Sequence, residues 1–431
     1  MFRSSIMKQL SLIVIGGGDR GSSYLKTLQV TPEKFKLVAI AEPVKEKRDH
    51  LRDLYNVPEE MCFESWEDLL ALDKIADVAL ICTQDKMHFA PAMKAIEKKY
   101  DLLLEKPIAP TPEECFKISE YAKEQGVKVL VCHVLRYTPF YKAIKEFIEE
   151  GNLGEVINIV HTEGVGNVHM SHSFVRGNWR NTAESAPMIL AKCCHDTDML
   201  QWLMNEPCTK VHSFGARAYF RSENAPEGAP KRCTDGCPHK DTCFYYAPNV
   251  YKIDTAEVQH FRAIAANKFN PTDEEVDEVL KTSPYGRCVY YCDNDVVDHQ
   301  VVSMQFGENK HVTLTMSAFN KGGRTSQIMG TKGELRANME GQVMEFYDYA
   351  TRQTTQVYHP EKTLDYTIAG GHAGGDFGIM QDLYDYIVLD KPSISISDVS
   401  ASCLAHLICF AAEESRLSDK VIDMKEYIKT L

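Results

Sequence analysis

The chain has 431 residues and a formal net charge of −13, with 48 Lys and Arg against 61 Asp and Glu. This acidic balance argues against nucleic acid or an anionic membrane as a partner. The length allows two or three domains. No segment reaches the length of a membrane span, and the first residues lack the apolar core of a signal peptide. We therefore expect a cytoplasmic protein that acts on a small molecule and keeps its 14 cysteines mostly reduced.

A dinucleotide-binding pattern opens the chain. An apolar run, Leu12–Ile15, leads into G-x-G-x-x-G, and a second strand-like run, Lys36–Ala41, ends at Glu42. A strand that turns directly into a helix brings free backbone N–H groups to the sheet edge, where they hold a pyrophosphate. Glu42 stands where a carboxylate binds the ribose hydroxyls and repels a 2′-phosphate, so NAD is expected over NADP. The glycines are Gly16, Gly18 and Gly21, with Asp19 and Arg20 between them.

Arg20 is counted with Asp19 among the cofactor contacts because it lies inside the glycine loop. The alternative for Arg20 is an ordinary solvated surface charge. Arg48 could in the same way soften the preference for NAD, and it has the same alternative.

Strands and helices then alternate up to residue 131. Strands are predicted at Asp77–Cys82, Asp101–Leu104 and Val127–Val131, with helices between them. This order predicts an α/β Rossmann domain over residues 1–132, built on a parallel sheet with right-handed crossovers. Ligands bind beyond the carboxyl ends of such strands. The residues expected there, beside the glycine loop, are Thr83, His88, Glu105 and Lys106.

The pattern changes after Gly154, where strand-like segments follow one another from Val156 to Tyr358. Helices are few in this half, chiefly Met188–Met204, Gly375–Tyr386 and Asp398–Ser415. We predict an α+β domain over residues 133–431 with an open, largely antiparallel sheet and helices on one face. An insertion spans about residues 222–295.

Taken together, these motifs resemble the Gfo/Idh/MocA oxidoreductases, the family of glucose-fructose oxidoreductase and inositol 2-dehydrogenase. The likeness covers essentially the whole chain and rests on the order and spacing of many short motifs. These are the Gly16 loop with Glu42, the turn from Thr83 to His88, Glu105-Lys106-Pro107, Arg136-Tyr137-Thr138-Pro139, Gly151-x-x-Gly154-Glu155, His195-Asp196-Thr197-Asp198, Gly330-Thr331-Lys332-Gly333 and Gly374-Gly375-Asp376.

The resemblance implies oxidation of a hydroxyl of a sugar, cyclitol or related polyol, with hydride transfer to NAD or NADP. In the family pattern Lys106 contacts substrate and cofactor and assists proton transfer, and His195 is the histidine of the second domain. The family also has an aspartate four residues before this histidine, where this chain has Ala191. Two alternatives stay open for the base: either Lys192 takes over from the missing aspartate, or the substrate differs.

The residue types agree with this outline. Alcohol oxidation needs a group near the substrate oxygen that can take a proton. His195 suits this task without a perturbed pKa, whereas a lysine needs a lowered one. Lys192 and His195 would share one helix face, as would His195 and Asp198. The alternative is that His195 only packs and Asp198 only braces it.

Candidate substrate contacts lie in a polar segment that precedes the His195 helix. Its imidazole, guanidinium and indole groups are the kinds that bind a polyol by hydrogen bonds and ring stacking. Ordinary loop structure is the alternative. The candidates are His169, His172, Arg176 and Trp179, together with His372 at the start of a later helix.

The cysteines of the insertion are a further candidate site. Cys233, Cys237 and Cys243 lie within eleven residues, with His239 between them, and Cys288 and Cys292 follow later. Such a group could bind a structural Zn or Fe–S centre. However, C-x3-C-x5-C lacks the C-x2-C knuckles of common zinc modules, and no fourth ligand is fixed by spacing. Reduced structural cysteines are the alternative.

The leading hypothesis is an NAD-dependent dehydrogenase for a carbohydrate or polyol. The alternatives are a glycosidase that uses bound NAD for transient oxidation and a non-catalytic dinucleotide or sugar sensor. A homodimer or homotetramer, formed through the open sheet, is expected from the resemblance alone.

Overall fold

The structure is a computed structural model that describes residues 8–268, 270–360 and 371–431. It contains two β-sheets, one parallel and one largely antiparallel. This confirms the fold class expected from the sequence.

The first sheet has six parallel strands in the order β3-β2-β1-β4-β5-β6. Its strands are nearly continuous apolar runs, which is typical of strands covered on both faces. The strand order reverses at β1 and β4, and a ligand crevice forms at such a point. The strands are β1 (Leu10–Ile15), β2 (Phe35–Ala41), β3 (Cys62–Phe63), β4 (Val78–Ile81), β5 (Asp101–Leu104) and β6 (Val129–Val131).

The second sheet has nine strands in the order β14-β13-β12-β11-β7-β10-β9-β8-β15. Every pair is antiparallel except β7 with β10. Alternate residues of the central strands are buried, so the sheet packs on one face only. The strands are β7 (Val156–Gly164), β8 (Cys208–Ala216), β9 (His299–Phe306), β10 (Lys310–Ser317), β11 (Gly323–Gly330), β12 (Gly333–Asn338), β13 (Val343–Asp348), β14 (Gln353–Gln356) and β15 (Ile422–Asp423).

Some helices begin and end at recognisable local signals. Thr111, for example, accepts a hydrogen bond from the Glu114 N–H before Pro112, and Gly126 ends that helix with φ +66°. The helices are α1 (Asp19–Leu25), α2 (Thr27–Val30), α3 (Lys45–Tyr55), α4 (Trp66–Ala71), α5 (Phe89–Glu97), α6 (Pro112–Gln125), α7 (Pro139–Glu149), α8 (Asn167–His169), α9 (Met188–Ala191), α10 (Cys194–Met204), α11 (Ala247–Val250), α12 (Ala256–Ala266), α13 (Asp273–Thr282), α14 (Gly375–Val388), α15 (Val399–Ser418) and α16 (Met424–Ile428).

Helix α14 does not join the helices on the second sheet. Its apolar residues Ile379, Met380 and Leu383 belong to the same core cluster as Leu12 and Val14 of β1. The Tyr384 hydroxyl donates to the backbone oxygen of Lys8 at 2.9 Å. The chain therefore returns to the parallel sheet near its end, and residues from both ends of the sequence border the crevice.

Two further features differ from the sequence-based prediction. The helix expected over Met188–Met204 is broken between α9 and α10, at Lys192 and Cys193. The insertion contains α11, α12 and α13, which were not predicted, and these helices form a small core of their own. No helix among the described residues is long and apolar enough to cross a membrane.

Candidate active site

The glycine loop after β1 has the shape that a phosphate-binding turn needs. Gly16 has a φ of +94°, which favours glycine. A Cβ on Gly21 would lie 2.2 Å from the Gly16 oxygen, so helix and turn pack too closely for any side chain. A Cβ on Gly18 would meet nothing within 4 Å. The loop therefore leaves open space over its backbone, and it fits a pyrophosphate.

Glu42 is fixed at the end of β2, beside this loop. Its Oε2 accepts a hydrogen bond from the Gly17 N–H at 2.7 Å, and its Oε1 accepts one from the Val44 N–H at 2.9 Å. The carboxylate is buried. Arg48 donates to the Glu42 backbone oxygen and, at 3.2 Å, to Glu64. The Arg48 guanidinium is thus hydrogen-bonded to protein oxygens. The charged group that contacts the glycine loop at the end of β2 is the Glu42 carboxylate.

Arg20 ties three parts of the chain together. Its Nε donates to Glu105 Oε1 at 2.8 Å, and its two terminal nitrogens donate to the Asp376 carboxylate at 2.7 and 3.1 Å. Tyr24 donates to the same Glu105 oxygen at 2.6 Å. His372 Nδ1 lies 3.3 Å from Arg20 and 3.1 Å from Asp376. The Arg20 guanidinium is therefore paired with two protein carboxylates. It is not an ordinary surface charge, and any contact with phosphate would be in addition to these ion pairs.

These ion pairs control the pKa of both carboxyl groups. Burial by itself would raise the pKa of Glu105, but Arg20 and the Tyr24 hydroxyl outweigh it and lower that pKa. Burial opposes the shift at Asp376 too, and the hydrogen bond from His372 and the charge of Arg20 bring its pKa well below the usual range. Both groups are carboxylates at neutral pH.

The Glu105-Lys106-Pro107 turn follows β5 and faces the glycine loop. Glu105 Oε2 accepts the Lys106 N–H at 2.9 Å, and the Lys106–Pro107 peptide bond is cis. The Lys106 ammonium reaches the second domain, where it donates to the Ala191 backbone oxygen at 3.1 Å. Lys106 therefore bridges the two domains across the crevice.

His88 is fully buried beneath this turn. Its ring nitrogens lie 2.7 Å from the Pro107 oxygen and 3.0 Å from the Thr83 oxygen. Thr83 itself donates to the Met87 oxygen at 3.1 Å. His88 thus joins the turns after β4 and β5, so it is placed to position these turns and not to touch a ligand.

His195 lies in the first turn of α10, next to Lys106. Burial, then the positive charge of Lys106, lowers the pKa of His195 well below its ordinary value. Its Nδ1 is buried with no hydrogen-bond partner among the described residues. The imidazole is therefore neutral at neutral pH and a weak base, so His195 does not have the unperturbed pKa that the sequence led us to expect.

A second buried histidine, His133, was not predicted as a site residue. Its ring lies 5.7 Å from that of His195 and 5.3 Å from that of His406, centroid to centroid. Neither nitrogen has a hydrogen-bond partner among the described residues, and burial lowers its pKa. His133 lies two residues after the end of β6, so the rule that ligands bind beyond strand ends could have identified it.

Lys192 is held by a buried network on the second sheet. Its ammonium lies 3.2 Å from Glu163 of β7, and the other Glu163 oxygen lies 2.8 Å from Arg324. Arg324 also forms an ion pair with Asp196 at 2.8 Å. The Asp196 carboxylate accepts a hydrogen bond from His161 at 2.9 Å. The sequence indicated Lys192 but not Glu163 or Arg324, because these lie on strands far away in the sequence.

Asp198 does not brace His195. It forms a buried, two-fold ion pair with Arg136 at 2.6 and 2.7 Å. Its oxygen lies 3.8 Å from His133. The alternative interpretation, in which Asp198 braces His195, has no support in the geometry, because the Asp198 carboxylate is paired with Arg136.

The predicted substrate contacts divide into two groups. Trp179 donates from its indole nitrogen to Asp85 at 3.0 Å, on the turn after β4, and His372 lies beside Arg20. His169 is near enough for the charges of Lys192 and Lys106 to help burial lower its pKa. These three border the crevice.

His172 and Arg176 lie elsewhere. His172 is buried, and its ring stacks against Phe261 and Tyr285 at centroid distances of 4.2 and 4.6 Å. Arg176 is fully buried and donates to the Tyr245 and Arg287 backbone oxygens at 2.6 and 2.7 Å. Both are turned toward the insertion, so their prediction as substrate contacts has no support in the geometry.

The structure gathers Cys233, Cys237 and Cys243 around one small cavity. It does not arrange them as ligands of one ion: among the described residues, no group of three or more His, Cys, Asp or Glu side chains could hold a metal ion. The cysteines of the described chain are free thiols.

The class of protein follows from the first sheet. A parallel sheet in the order β3-β2-β1-β4-β5-β6, with a glycine loop after β1 and an acidic residue after β2, is a dinucleotide-binding domain.

Family models match most of the chain. The model of the oxidoreductase family's NAD-binding Rossmann fold matches residues 10–133, and the model of its C-terminal alpha/beta domain matches residues 145–405. The chain therefore belongs to the Gfo/Idh/MocA oxidoreductases, a family of NAD(P)-dependent dehydrogenases. The family and the enzyme class predicted from the sequence are confirmed.

Individual relatives vary in how much of the chain they match. YteT of Bacillus subtilis, whose name describes it as an oxidoreductase, is 25% identical over 397 residues, which are 87% of each chain. The scyllo-inositol 2-dehydrogenase (NAD(+)) of the same organism is 28% identical, over 48% of this chain and 57% of its own. Inositol 2-dehydrogenase of Salmonella typhimurium is 25% identical, over 47% and 57%. The chain thus spans little more than half of these two inositol enzymes.

Solved structures share the fold. Levoglucosan dehydrogenase in complex with NADH and levoglucosan has a TM-score of 0.71 and 16% identity, and the match covers 97% of this chain and 100% of that one. An oxidoreductase from Agrobacterium radiobacter in complex with NAD+, L-tartaric acid and magnesium has a TM-score of 0.69, 14% identity and the same coverage. Their chains adopt the same two-domain architecture.

We predict that Asp376→Asn lowers the melting temperature at pH 7 by about 2 °C or more, since it removes a buried charge that pairs with Arg20. The folded-state pKa of Asp376 is depressed, so its contribution is present above the unfolded value of about 4 and is lost as the pH falls below it. The difference between variant and wild type should therefore shrink from pH 7 to pH 3 in thermal scans.

Asp390→Asn is the control, because that side chain lies two residues beyond the same helix and is 88% exposed, so its ion pair with Lys128 is at the surface and contributes little. It should leave the melting temperature unchanged at both pH values. A constant gap for Asp376→Asn across the pH range would contradict the assigned ion pair.

Proposed function

We propose that the protein is an NAD-dependent dehydrogenase that oxidises a hydroxyl of a sugar, cyclitol or related polyol. The observation that carries this proposal is the meeting of Lys106 and His195 at the crevice beside the glycine loop. Support for the substrate class comes from relatives and structural neighbours whose names specify inositols and levoglucosan.

Lys106 and His195 have different roles in the proposed proton transfer. Bound NAD would supply the acceptor for the hydride of the carbon that carries the hydroxyl. The protein must remove the hydroxyl proton at the same time. Lys106 is suited to hold the substrate oxygen and to stabilise negative charge that develops on it. His195, which is neutral, is the proton acceptor of this proposal, although burial and the Lys106 charge make it a weak base, and the His133 ring lies 5.7 Å from it.

We assign Lys192 an assisting role in proton transfer, since its ammonium places a positive charge at the crevice wall. Glu163 and Arg324 fix its position, so Lys192 does not depend on a helix face shared with His195. The hydroxyl groups of a polyol would be bound by Trp179, His169 and His372, whose side chains border the same crevice.

The preference for NAD over NADP is also part of the proposal. Glu42 brings a buried negative charge next to the loop, where a 2′-phosphate would have to lie. Arg48, the cation that could have offset this charge, is held by backbone and by Glu64. NADP therefore meets an uncompensated carboxylate.

We further propose a homodimer or homotetramer that forms through the open face of the second sheet. Exposed apolar side chains cross that face on neighbouring strands, and Phe214 of β8 lies opposite Val301 of β9. Val160 of β7 and Val343 of β13 extend the patch.

Light scattering during size-exclusion chromatography should give at least twice the chain mass. The double variant with Phe214→Glu and Val301→Glu should give the monomer, because it places charges on this patch. A monomeric wild type would refute this.

The activity test is absorbance at the NADH band during incubation with NAD, or separately with NADP, and a panel of sugars, inositols and glycosides. Net NADH from one polyol, with slower NADPH formation, is the expected result. Release of an aglycone without net NADH would instead favour the redox-assisted glycosidase. Bound NAD without turnover on any compound would favour the sensor.

Lys106→Ala should lower turnover by at least ~100-fold, which is within the range that a positioned proton-transfer group supplies. NAD binding, followed by fluorescence titration, should survive because the glycine loop and Glu42 are untouched. Lys94→Ala is the matched control, since the Lys94 ammonium hydrogen-bonds Glu97 on its own helix and no other side chain among the described residues. Near-normal turnover of Lys106→Ala would remove this lysine from the mechanism.

A further inference from the structure

Asp85, a carboxylate of the first domain, contacts the part of the second domain that contains Trp179. It lies in the turn after β4. Its Oδ2 accepts hydrogen bonds from the Trp179 indole N–H at 3.0 Å and from the Ser185 hydroxyl at 3.2 Å. The next residue, Lys86, donates to the Ala183 backbone oxygen. Three hydrogen bonds thus join this turn to the second domain.

The two hydrogen bonds to Asp85 are of a strong kind. Both donors are neutral groups, and both reach the same oxygen of a carboxylate. Hydrogen bonds to an ionised acceptor are about twice as strong as those between neutral groups. The contact therefore fixes the Trp179 indole relative to the first domain.

Packing alone does not fix Trp179. The residue follows the helical segment Met170–Arg176 and precedes α9, in a stretch without helix or strand. Its ring lies 6.1 Å from that of Phe174, centroid to centroid, and the residue is 37% exposed. The hydrogen bond to Asp85 therefore restricts an indole that would otherwise have room to rotate.

The backbone after Trp179 is held by the insertion and not by Asp85. Arg180 donates two hydrogen bonds to the Asp293 carboxylate at 2.9 and 3.1 Å. Thr182 donates its N–H and its hydroxyl to Asp295 at 2.8 and 2.7 Å. Because this backbone has its own anchors, the contribution of Asp85 is the orientation of the Trp179 side chain.

The turn that carries Asp85 also borders the glycine loop. A Cβ on Gly16 would lie 2.5 Å from the Cys82 oxygen and 2.9 Å from the Thr83 nitrogen. Asp85 follows Thr83 by two residues. The same turn therefore contacts the glycine loop at one end and Trp179 at the other.

We propose that Asp85 is a positioning residue for the substrate, which holds the Trp179 indole at the crevice so that its ring can stack on a sugar or cyclitol. An indole has one N–H to donate, and Asp85 accepts it. The ring face is then the part of Trp179 that remains for the substrate. This inference rests on the proposed function, in which Trp179 contacts the polyol.

The first test is steady-state kinetics with the polyol that yields NADH in the activity panel. Asp85→Ala should raise the KM for this polyol about 10-fold, which corresponds to the loss of one hydrogen bond to a charged group. The kcat should stay within about two-fold, because a contact made equally in the ground state and the transition state changes KM alone. Asp85→Asn keeps an oxygen that can accept the indole N–H, so it should restore most of the lost affinity.

Trp179→Phe distinguishes this role from a general structural one. Phenylalanine has a ring but no N–H, so Asp85→Ala should have little further effect on KM in the Trp179→Phe background. Met87→Ala is the matched control, since Met87 lies in the same turn and is 52% exposed. It should leave KM unchanged. An unchanged KM in Asp85→Ala, or an equal rise in both backgrounds, would overturn the proposal.

A measurement without substrate tests the position of Trp179 itself. The chain has three tryptophans, so the difference in fluorescence between wild type and Trp179→Phe reports on Trp179. Acrylamide should quench this difference signal more strongly in Asp85→Ala than in wild type or Met87→Ala, because the indole has lost its anchor. Equal quenching in all three would overturn the proposal. Fluorescence requires no turnover, so a failure of this proposal is distinguishable from a failure of the proposed function.

Discussion

The structure depends on one buried set of charges, the Arg20 guanidinium between Glu105 and Asp376. Arg20 belongs to the glycine loop, Glu105 to the turn that carries Lys106, and Asp376 to the helix that returns from the end of the chain. Removal of one partner from a buried ion pair costs about 3–5 kcal/mol, because it leaves the other charge unpaired. The same three groups therefore fix the phosphate loop, the lysine and the helix relative to one another.

A second set of charges performs the same task on the other side of the crevice. Glu163 and Asp196 share Arg324, and Lys192 completes the set, so two carboxylates meet two cations in a buried region. Burial raises the pKa of Glu163 in spite of these cations, whereas the Arg324 charge and the His161 hydrogen bond lower that of Asp196. The network holds α10, and with it His195, against the second sheet.

Local patterns predicted much of this architecture. The predicted strand Asp101–Leu104 is observed unchanged, and the glycine loop with Glu42 lies where its spacing indicates, because these features depend on neighbours in the sequence. The contacts that join distant segments were not predictable. Arg20 and Asp376 are 356 residues apart, and nothing in either local pattern specifies the pair.

The same limit explains the misplaced residues. His172 and Arg176 have the chemistry of a polyol site, but the fold turns them toward the insertion, whose helices carry no recognisable motif. Lys192 was expected on a continuous helix, and the break before α10 means that Glu163 determines its position instead. Side-chain chemistry suggested what these residues could do, whereas tertiary packing decided where they act.

The central claim is that the crevice between the two domains holds a dinucleotide against Lys106 and His195. It is tested most directly by a crystal structure of the protein grown with NAD⁺. The account predicts density for the pyrophosphate over Gly18, for the adenosine ribose at Glu42 and for the nicotinamide beside Lys106. Dinucleotide density elsewhere on the molecule, or a nicotinamide turned away from Lys106 and His195, would contradict it.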